Sequence, residues 1–208
     1  MSYRLGVDVG GTFTDVLLVD EDSGTTWRAK TASTPADQAV GVLNGIGKAC
    51  AEAGIELSDI AQVLHGTTVA TNALLERKGV PTALVVTKGF EDQLEIGTQA
   101  RRDIFALKVE KPDMLYARVI GADERICADG HIEKALDEGA LSRDLVQARD
   151  NGLRAVAIVF MHGYKYPAHE ARAAAIAREI GFDDVSASHE VSALIKFVGR
   201  GDTTVANA

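Results

Sequence analysis

The chain has few of the features that define secreted, membrane-spanning or nucleic-acid-binding proteins. It has only two cysteines, Cys50 and Cys127, which are too few and too far apart for a disulfide scaffold. With 22 basic and 30 acidic residues its formal net charge is −8, so no basic stripe favours nucleic acid. It has no signal peptide and no apolar run of about 18 residues, so secretion and membrane spanning are not predicted. These absences favour a cytoplasmic protein with neither nucleic-acid nor membrane partners.

What remains is the composition of a folded protein. The hydrophobic fraction is 46%, which argues against disorder. A length of 208 residues allows one substantial core or two modest lobes. The adjacent basic pair Arg101–Arg102 fits either a solvated surface or an anionic ligand.

The most informative segment is DVGGTFTD at residues 8–15, a glycine-rich turn between two apolar runs that resemble short buried strands. Gly10 and Gly11 allow backbone N–H groups to approach phosphate oxygens, because no Cβ intrudes. The hydroxyls of Thr12 and Thr14 are further donors. An ordinary hairpin, in which the glycines serve only the turn, is the structural alternative.

Two carboxylates flank this turn. Asp8 and Asp15 can hold a hydrated Mg²⁺ through oxygen ligands. Asp15 also fits a hydrogen bond to Thr12 across the turn. Neither of two better-known phosphate loops is present: the dinucleotide fingerprint needs G-x-G-x-x-G opening a helix, and the Walker loop needs Gly-Lys-Ser/Thr.

Five ordered blocks identify a resemblance. Besides residues 8–15 they are HGTTVATN at 65–72, GFEDQLEIG at 89–97, SHEVS at 188–192 and TTVANA at 203–208. In this order, along nearly the whole chain, they resemble the amino-terminal region of the A-type subunits of the hydantoinase/5-oxoprolinase family. That family belongs to the superfamily of acetate kinase, sugar kinases, Hsp70 and actin.

The resemblance implies an ATP-dependent enzyme that uses Mg²⁺ to phosphorylate a cyclic amide or enol(ate) oxygen, for ring-opening hydrolysis or carboxylation. It assigns the catalytic, metal-organising role to Asp8. It also implies a B-type partner subunit, the remainder of an A-type subunit, a small cyclic amide or ketone as substrate, and an oligomer when complete. Another superfamily kinase, or a non-catalytic nucleotide-binding or assembly module, is the alternative.

The second block, at a strand-to-helix passage, predicts a substrate pocket. Its candidate residues are His65, Thr67, Thr68 and Asn72. Thr67 or Thr68 fits helix capping equally well, and capping and anion binding can coexist. After the third block Thr98 stands where the family pattern commonly has arginine, so the resemblance does not determine the identity of the substrate.

The element pattern predicts an α/β protein. Strands near 3–9, 13–20 and 25–31 form an antiparallel meander, followed by helices near 36–53 and 67–78 alternating with strands near 62–65 and 82–87. In the first helix Pro35 is the opener, an apolar stripe is formed by Val40, Leu43, Ile46 and Cys50, and Gly54 is the stop. This order matches a ribonuclease-H-like half-domain of the superfamily, with a subsidiary α/β segment. The predicted division is a phosphate-binding core at 1–97, a β-rich insertion at 98–139 and an α/β segment at 140–208 packing on the core.

The later segment is predicted to contain helices at 141–151, 169–180 and from near 192, with strands at 155–160 and 184–188. The sequence stops inside the last helix without a glycine cap or polar tail. We therefore expect a fragment, or a subunit completed by a separate polypeptide, that is inactive by itself.

Overall fold

The computed structural model describes residues 2–34, 36–100, 105, 107, 111 and 113–208. Its contacts divide the chain into two compact units, Met1–Lys78 and Gly79–Ala208. The predicted helix opener Pro35 and the basic pair Arg101–Arg102 lie outside the described residues.

The first unit contains one four-stranded sheet and two helices. Its elements are β1 (Tyr3–Val9), β2 (Phe13–Asp20), β3 (Thr26–Ala32), α1 (Gln38–Ala53), β4 (Ile60–Thr67) and α2 (Val69–Leu75). The strand order is β3-β2-β1-β4, in which the first three are antiparallel and β4 runs parallel to β1. The predicted antiparallel meander is thus confirmed.

Strand alternation gives this sheet one covered face and one open face. Leu5, Val7 and Val9 on β1, with Val16 and Leu18 on β2, form a core with α1. The residues between them on β1 and β2 point the other way and are mostly exposed. The polar residues of the turn therefore lie at the end of two central strands, in a sheet whose opposite face is packed against α1.

Helix α1 packs through small residues. The expected apolar stripe included Val40 and Leu43, but these are 45% and 63% exposed. The buried positions are Gly41, Gly45, Ile46, Ala49 and Cys50. This part of the prediction was wrong because glycine at 41 and 45 lets the helix approach the sheet closely, so the contact does not need large side chains. The predicted stop at Gly54 is present, with φ +68°.

The second unit is built on a parallel sheet. Its elements are β5 (Thr82–Thr87), α3 (Gln93–Ile96), β6 (Arg118–Ala122), β7 (Arg125–Ile126), β8 (Ile132–Lys134), α4 (Glu138–Asp150), β9 (Ala155–Val159), α5 (Ala168–Ile180), β10 (Asp184–Ala187), α6 (Ser188–Val191) and α7 (Phe197–Asn207). The order is β10-β9-β5-β6, and all three pairings are parallel. Strands β5 and β9 are buried along their whole length, as expected for central parallel strands.

The fold class is confirmed as α/β, with antiparallel strands first and strand–helix alternation afterwards. Strand β5, predicted to continue the first segment, pairs instead with β6 and β9 of the second unit. The three-part division at residues 97 and 139 stays a prediction. The helix expected from near 192 is wrong in its start, because α6 ends at Val191 and α7 begins at Phe197. Among the helices of the described residues, none is long and apolar enough to cross a membrane.

Candidate functional site

The glycine turn between β1 and β2 is held by its own backbone and by the end of β3. The Gly10 N–H donates to Phe13 O at 2.9 Å, which closes the turn. A Cβ at Gly10 would lie 3.1 Å from that same carbonyl oxygen, so a side chain at this position would crowd the turn. The Ser33 N–H donates to Thr12 O at 2.9 Å. The turn is therefore fixed from both of its strands and from β3.

Ser33 is a site residue that sequence reasoning missed. Its hydroxyl donates to Gly10 O at 2.7 Å and lies 3.0 Å from the hydroxyl oxygen of Thr14. It follows directly after β3, where the pairing of Phe13 with Ala32 brings it beside the turn. The predicted third strand ended at residue 31, two residues before Ser33, so the predicted meander led towards this position without including it.

Asp8 and Asp15 are direct cross-strand partners. Opposite residues of an antiparallel pair share a face, so both carboxylates project from the open face. Both side chains are exposed. The Lys30 ammonium lies 3.4 Å from Asp15 Oδ1 and 4.8 Å from the ring centroid of Phe13. Asp15 is thus partly neutralised, whereas Asp8 has no ion-pair partner within the part of the chain that the structure describes.

An open cavity of about 700 Å³ lies on this face. Its lining includes Gly6, Asp8, Asp15, Leu17, Lys30 and Leu64. Two carboxylates, a cation and apolar side chains therefore surround a single concave surface next to the turn.

The turn also presents unused donors. In the described residues, no hydrogen-bond acceptor is paired with the amides of Gly11 and Thr12 or with the Thr12 hydroxyl. Thr14 differs, because its side chain is fully buried and bonded to Ser33. Gly11, Thr12 and Asp8 can face a ligand directly, whereas Thr14 acts on the shape of the turn.

The second predicted group reaches the same turn through β4 and α2. The Thr67 hydroxyl donates to Val9 O at 3.1 Å and accepts from the Val69 N–H at 3.3 Å. The expected capping is thus performed by Thr67, and the Thr68 side chain makes no cap hydrogen bond. A Cβ at Gly11 would lie 3.5 Å from Asn72 Nδ2. The structure therefore brings Asn72 to the glycine turn.

His65 and Gly66 lie beside β1 at the positions of Val7 and Asp8. Both residues contribute to the lining of the cavity, and strand alternation places the His65 side chain on the opposite face of β4 from the one that Asp8 shares. A Cβ at Gly66 would be 3.9 Å from Asp8 Oδ1, so glycine at this position keeps the flank of the carboxylate open. The assigned roles of all these residues stay predictions.

The fourth block, at 188–192, lies in the second unit and belongs to a buried polar cluster around Glu170. The Glu170 carboxylate accepts from the Phe160 N–H at 2.7 Å, the Ser188 hydroxyl at 2.6 Å and the His189 N–H at 3.0 Å. Arg200 Nη1 donates to the same carboxylate at 3.2 Å. Glu170 and Arg200 are both fully buried, and burial lowers the pKa of the Arg200 guanidinium while Glu170 opposes that shift. These contacts give the block a structural role that its sequence did not reveal.

Comparison with known proteins agrees with this architecture. The family model for the hydantoinase/oxoprolinase N-terminal region matches residues 4–181. The 5-oxoprolinase 1 of Arabidopsis thaliana is 37% identical, over 99% of this chain and 18% of the plant protein. The alpha subunit of the caprolactamase of Pseudomonas jessenii is 38% identical, over 99% of this chain and 31% of its own.

Two solved structures share the fold. The ATP-dependent caprolactamase of Pseudomonas jessenii has a TM-score of 0.78 at 36% identity, over 99% of this chain and 31% of that one. Nucleotide-free acetone carboxylase has a TM-score of 0.85 at 25% identity, over 98% of this chain and 31% of that one. The chain spans 18% to 31% of the length of the first curated relatives that it matches. These matches show that the chain belongs to the hydantoinase/oxoprolinase family and corresponds to its N-terminal region.

Proposed function

We propose that this chain is the phosphate-binding part of an ATP-dependent subunit that phosphorylates a cyclic amide or enol(ate) oxygen. The observation that supports this most is the Asp8–Asp15 pair. Two like charges directly opposite on neighbouring strands destabilise a sheet, and Lys30 offsets the charge of Asp15 but not that of Asp8. Here the pair stands on an open face, next to a glycine turn with unused N–H donors.

The donor set fits Mg²⁺. This ion prefers a few carboxylate oxygens and keeps several waters, and two adjacent exposed carboxylates supply that environment. Asp8 would hold it, with Asp15 as the weaker contributor because Lys30 already pairs with Asp15. When bound, Mg²⁺ neutralises charge on the phosphates of ATP. Among the described residues, no group of three or more His, Cys, Asp or Glu side chains is placed to hold a metal ion.

The remaining residues position the nucleotide. The amides of Gly11 and Thr12 and the Thr12 hydroxyl donate to phosphate oxygens, because these groups have no acceptor of their own in the described part of the protein. Ser33 and Thr14 keep the turn rigid, so its donors are oriented before the ligand arrives. Phosphoryl transfer depends mostly on such positioning and charge neutralisation.

The chemical advantage of phosphorylation lies in the substrate. An amide oxygen attacks the γ-phosphorus of ATP, a new O–P bond forms, and the bond from phosphorus to the bridging oxygen breaks to release ADP. In the second step water adds to the activated carbon, and the ring C–N bond breaks as the nitrogen takes up a proton, which leaves an acyl phosphate. Another water attacks the acyl carbon, and the C–O bond breaks as phosphate leaves with the former amide oxygen. A B-type subunit would complete this second step. Relatives named 5-oxoprolinase and ATP-dependent caprolactamase support a lactam as the substrate class.

An oxygen-isotope experiment tests this proposal. The full-length subunit with its B-type partner is given ATP, Mg²⁺ and a panel of lactams labelled with ¹⁸O at the carbonyl, alongside ketones and sugars. We expect lactam-dependent ADP release and one ¹⁸O atom in each phosphate formed. Unlabelled phosphate during lactam turnover would contradict amide phosphorylation, and phosphorylated sugar would identify a different superfamily kinase.

A further inference from the structure

A groove in the second unit lies where parallel sheets commonly bind ligands. Strands β5 and β6 are parallel neighbours, and their carboxyl ends lead to Lys88 and Asp123. Open parallel sheets bind ligands in crevices at this end, because the loops that follow the strands converge there. The groove has a volume of about 770 Å³ and is lined by Lys88, Asp123, Glu124, Arg125, Glu133 and Lys134. We refer to it as the Lys88 groove.

Two of its acidic side chains are already engaged. Glu124 is only 3% exposed, and its carboxylate accepts from the Thr87 hydroxyl and contacts His169 Nδ1 at 2.7 Å. Asp123 is paired with Lys134 at 2.6 Å, and this hydrogen bond lowers the pKa of the Asp123 carboxyl. Both carboxylates therefore have other close partners, and only Asp123 also attracts the Lys88 charge, without a direct ion pair.

The remaining cations are Lys88 and Arg125. Arg125 is held in place, since its guanidinium lies 5.2 Å from the ring centroid of Phe90 and its Nη2 donates to Lys88 O at 3.2 Å. That contact leaves most of its N–H donors unused. Across the described residues, neither cation has a carboxylate within 4.0 Å. Glu133 has only a weak contact from the Cys127 thiol, at 3.8 Å.

We propose that the Lys88 groove binds a small oxyanion, the carboxylate or phosphate group of a ligand. The planar fork of Arg125 matches two oxygens of such a group, and Lys88 adds a mobile point charge. The groove belongs to the second unit, whereas the Asp8 turn belongs to the first. Oxyanion binding in the groove does not depend on the proposed ATP chemistry. Glu133 limits the affinity, because it repels the anion from across the groove.

The test is a titration of the ¹⁵N-labelled 208-residue chain with inorganic phosphate and, separately, with acetate, at constant ionic strength. We expect saturable shifts of the Lys88, Gly89 and Arg125 amides. A response to phosphate alone assigns a phosphate group, a response to acetate alone assigns a carboxylate, and a response to both supports the shared oxyanion chemistry. The absence of saturable shifts in both arms would overturn the proposal.

Three variants and a control sharpen the result. Lys88→Gln and Arg125→Gln should each weaken binding roughly tenfold, the effect of losing one charge-assisted hydrogen bond. Glu133→Gln should tighten oxyanion binding, because it removes the repelling charge. A purely structural role of Glu133 would not produce tighter binding. Lys48→Gln, on the exposed side of α1, is the control and should leave the titration unchanged. Unaltered affinity in both Lys88→Gln and Arg125→Gln would also refute the proposal. Because Lys88 is exposed, the Lys88→Gln variant is expected to fold.

Discussion

Substitution of Gly45 by alanine tests the close packing of α1 on the sheet that carries the glycine turn. A Cβ at position 45 would lie 2.7 Å from Val16 Cγ2, well inside the 3.4–4 Å of ordinary contact. Val16 is 2% exposed and β-branched, so its side chain has little freedom to move away. We therefore expect Gly45→Ala to strain the contact between helix and sheet.

The magnitude follows from two opposing terms. Alanine in place of glycine within a helix gains about 0.5–1 kcal/mol. Overpacking a well-packed core costs about 1–3 kcal/mol. Gly47, on the same helix, is exposed, and a Cβ there would meet nothing within 4 Å. Gly47→Ala should therefore stabilise the first unit, and the difference between the two variants isolates the overpacking at roughly 1–3 kcal/mol.

Urea unfolding of the chain, followed by tryptophan fluorescence, measures both variants. The chain has one tryptophan, Trp27, which lies on β3 and packs against the core of the first unit. Val16→Ala should partly rescue Gly45→Ala, because it removes the opposing methyl groups, and a double-mutant cycle measures this coupling. If Gly45→Ala were as stable as Gly47→Ala, the close approach of α1 to β2 would be wrong.

Three further predictions concern other contacts. Ser33→Ala should lower the free energy of unfolding of the first unit by about 1–3 kcal/mol, because it leaves the buried Thr14 hydroxyl without its partner. A loss below about 0.3 kcal/mol in urea unfolding would contradict this role of Ser33. Glu170→Gln should lower the free energy of unfolding by about 3–5 kcal/mol, because the buried Arg200 guanidinium loses its counter-charge. Urea unfolding followed by circular dichroism measures this loss, and an unchanged free energy of unfolding would refute the stabilising role of Glu170. In the native protein Cys127 should react with a thiol reagent well before Cys50, because Cys50 is buried whereas Cys127 is partly exposed, and desolvation raises the pKa of both thiols. Modification sites are read by mass spectrometry, and equal rates would be inconsistent with the packing.

The first unit was largely predictable because its signals are local. Alternating apolar residues on β1 and β2 specify which face is buried, and Asp20 caps the turn to β3 through the Asp22 N–H and the Ser23 hydroxyl. The position of α1 was predictable but its contact face was not. Sequence periodicity identifies a buried helix face from its large apolar residues, whereas the close approach of α1 to the sheet depends on Gly45.

Long-range contacts account for what the sequence did not reveal. Strand β5 has the same buried pattern whichever sheet it joins, so only its pairing partners decide that it belongs to the second unit. Glu170 and Arg200 look like surface residues of two helices, and their burial depends on a network assembled from distant segments. Ser33 lies two residues beyond the end of the predicted third strand, so its contact with the turn was not predicted.

The most direct test of the central claim, that Asp8 organises an ATP phosphate site, is substrate-dependent ADP release by the full-length subunit with its B-type partner. The wild type is compared with Asp8→Asn, and with Glu52→Gln on the exposed side of α1 as a matched charge-loss control. We predict that Asp8→Asn lowers the rate by at least about a hundredfold while Trp27 fluorescence stays unchanged and the free energy of unfolding is not reduced, and that the control is fully active. ADP release by Asp8→Asn at the rate of the control would contradict the account.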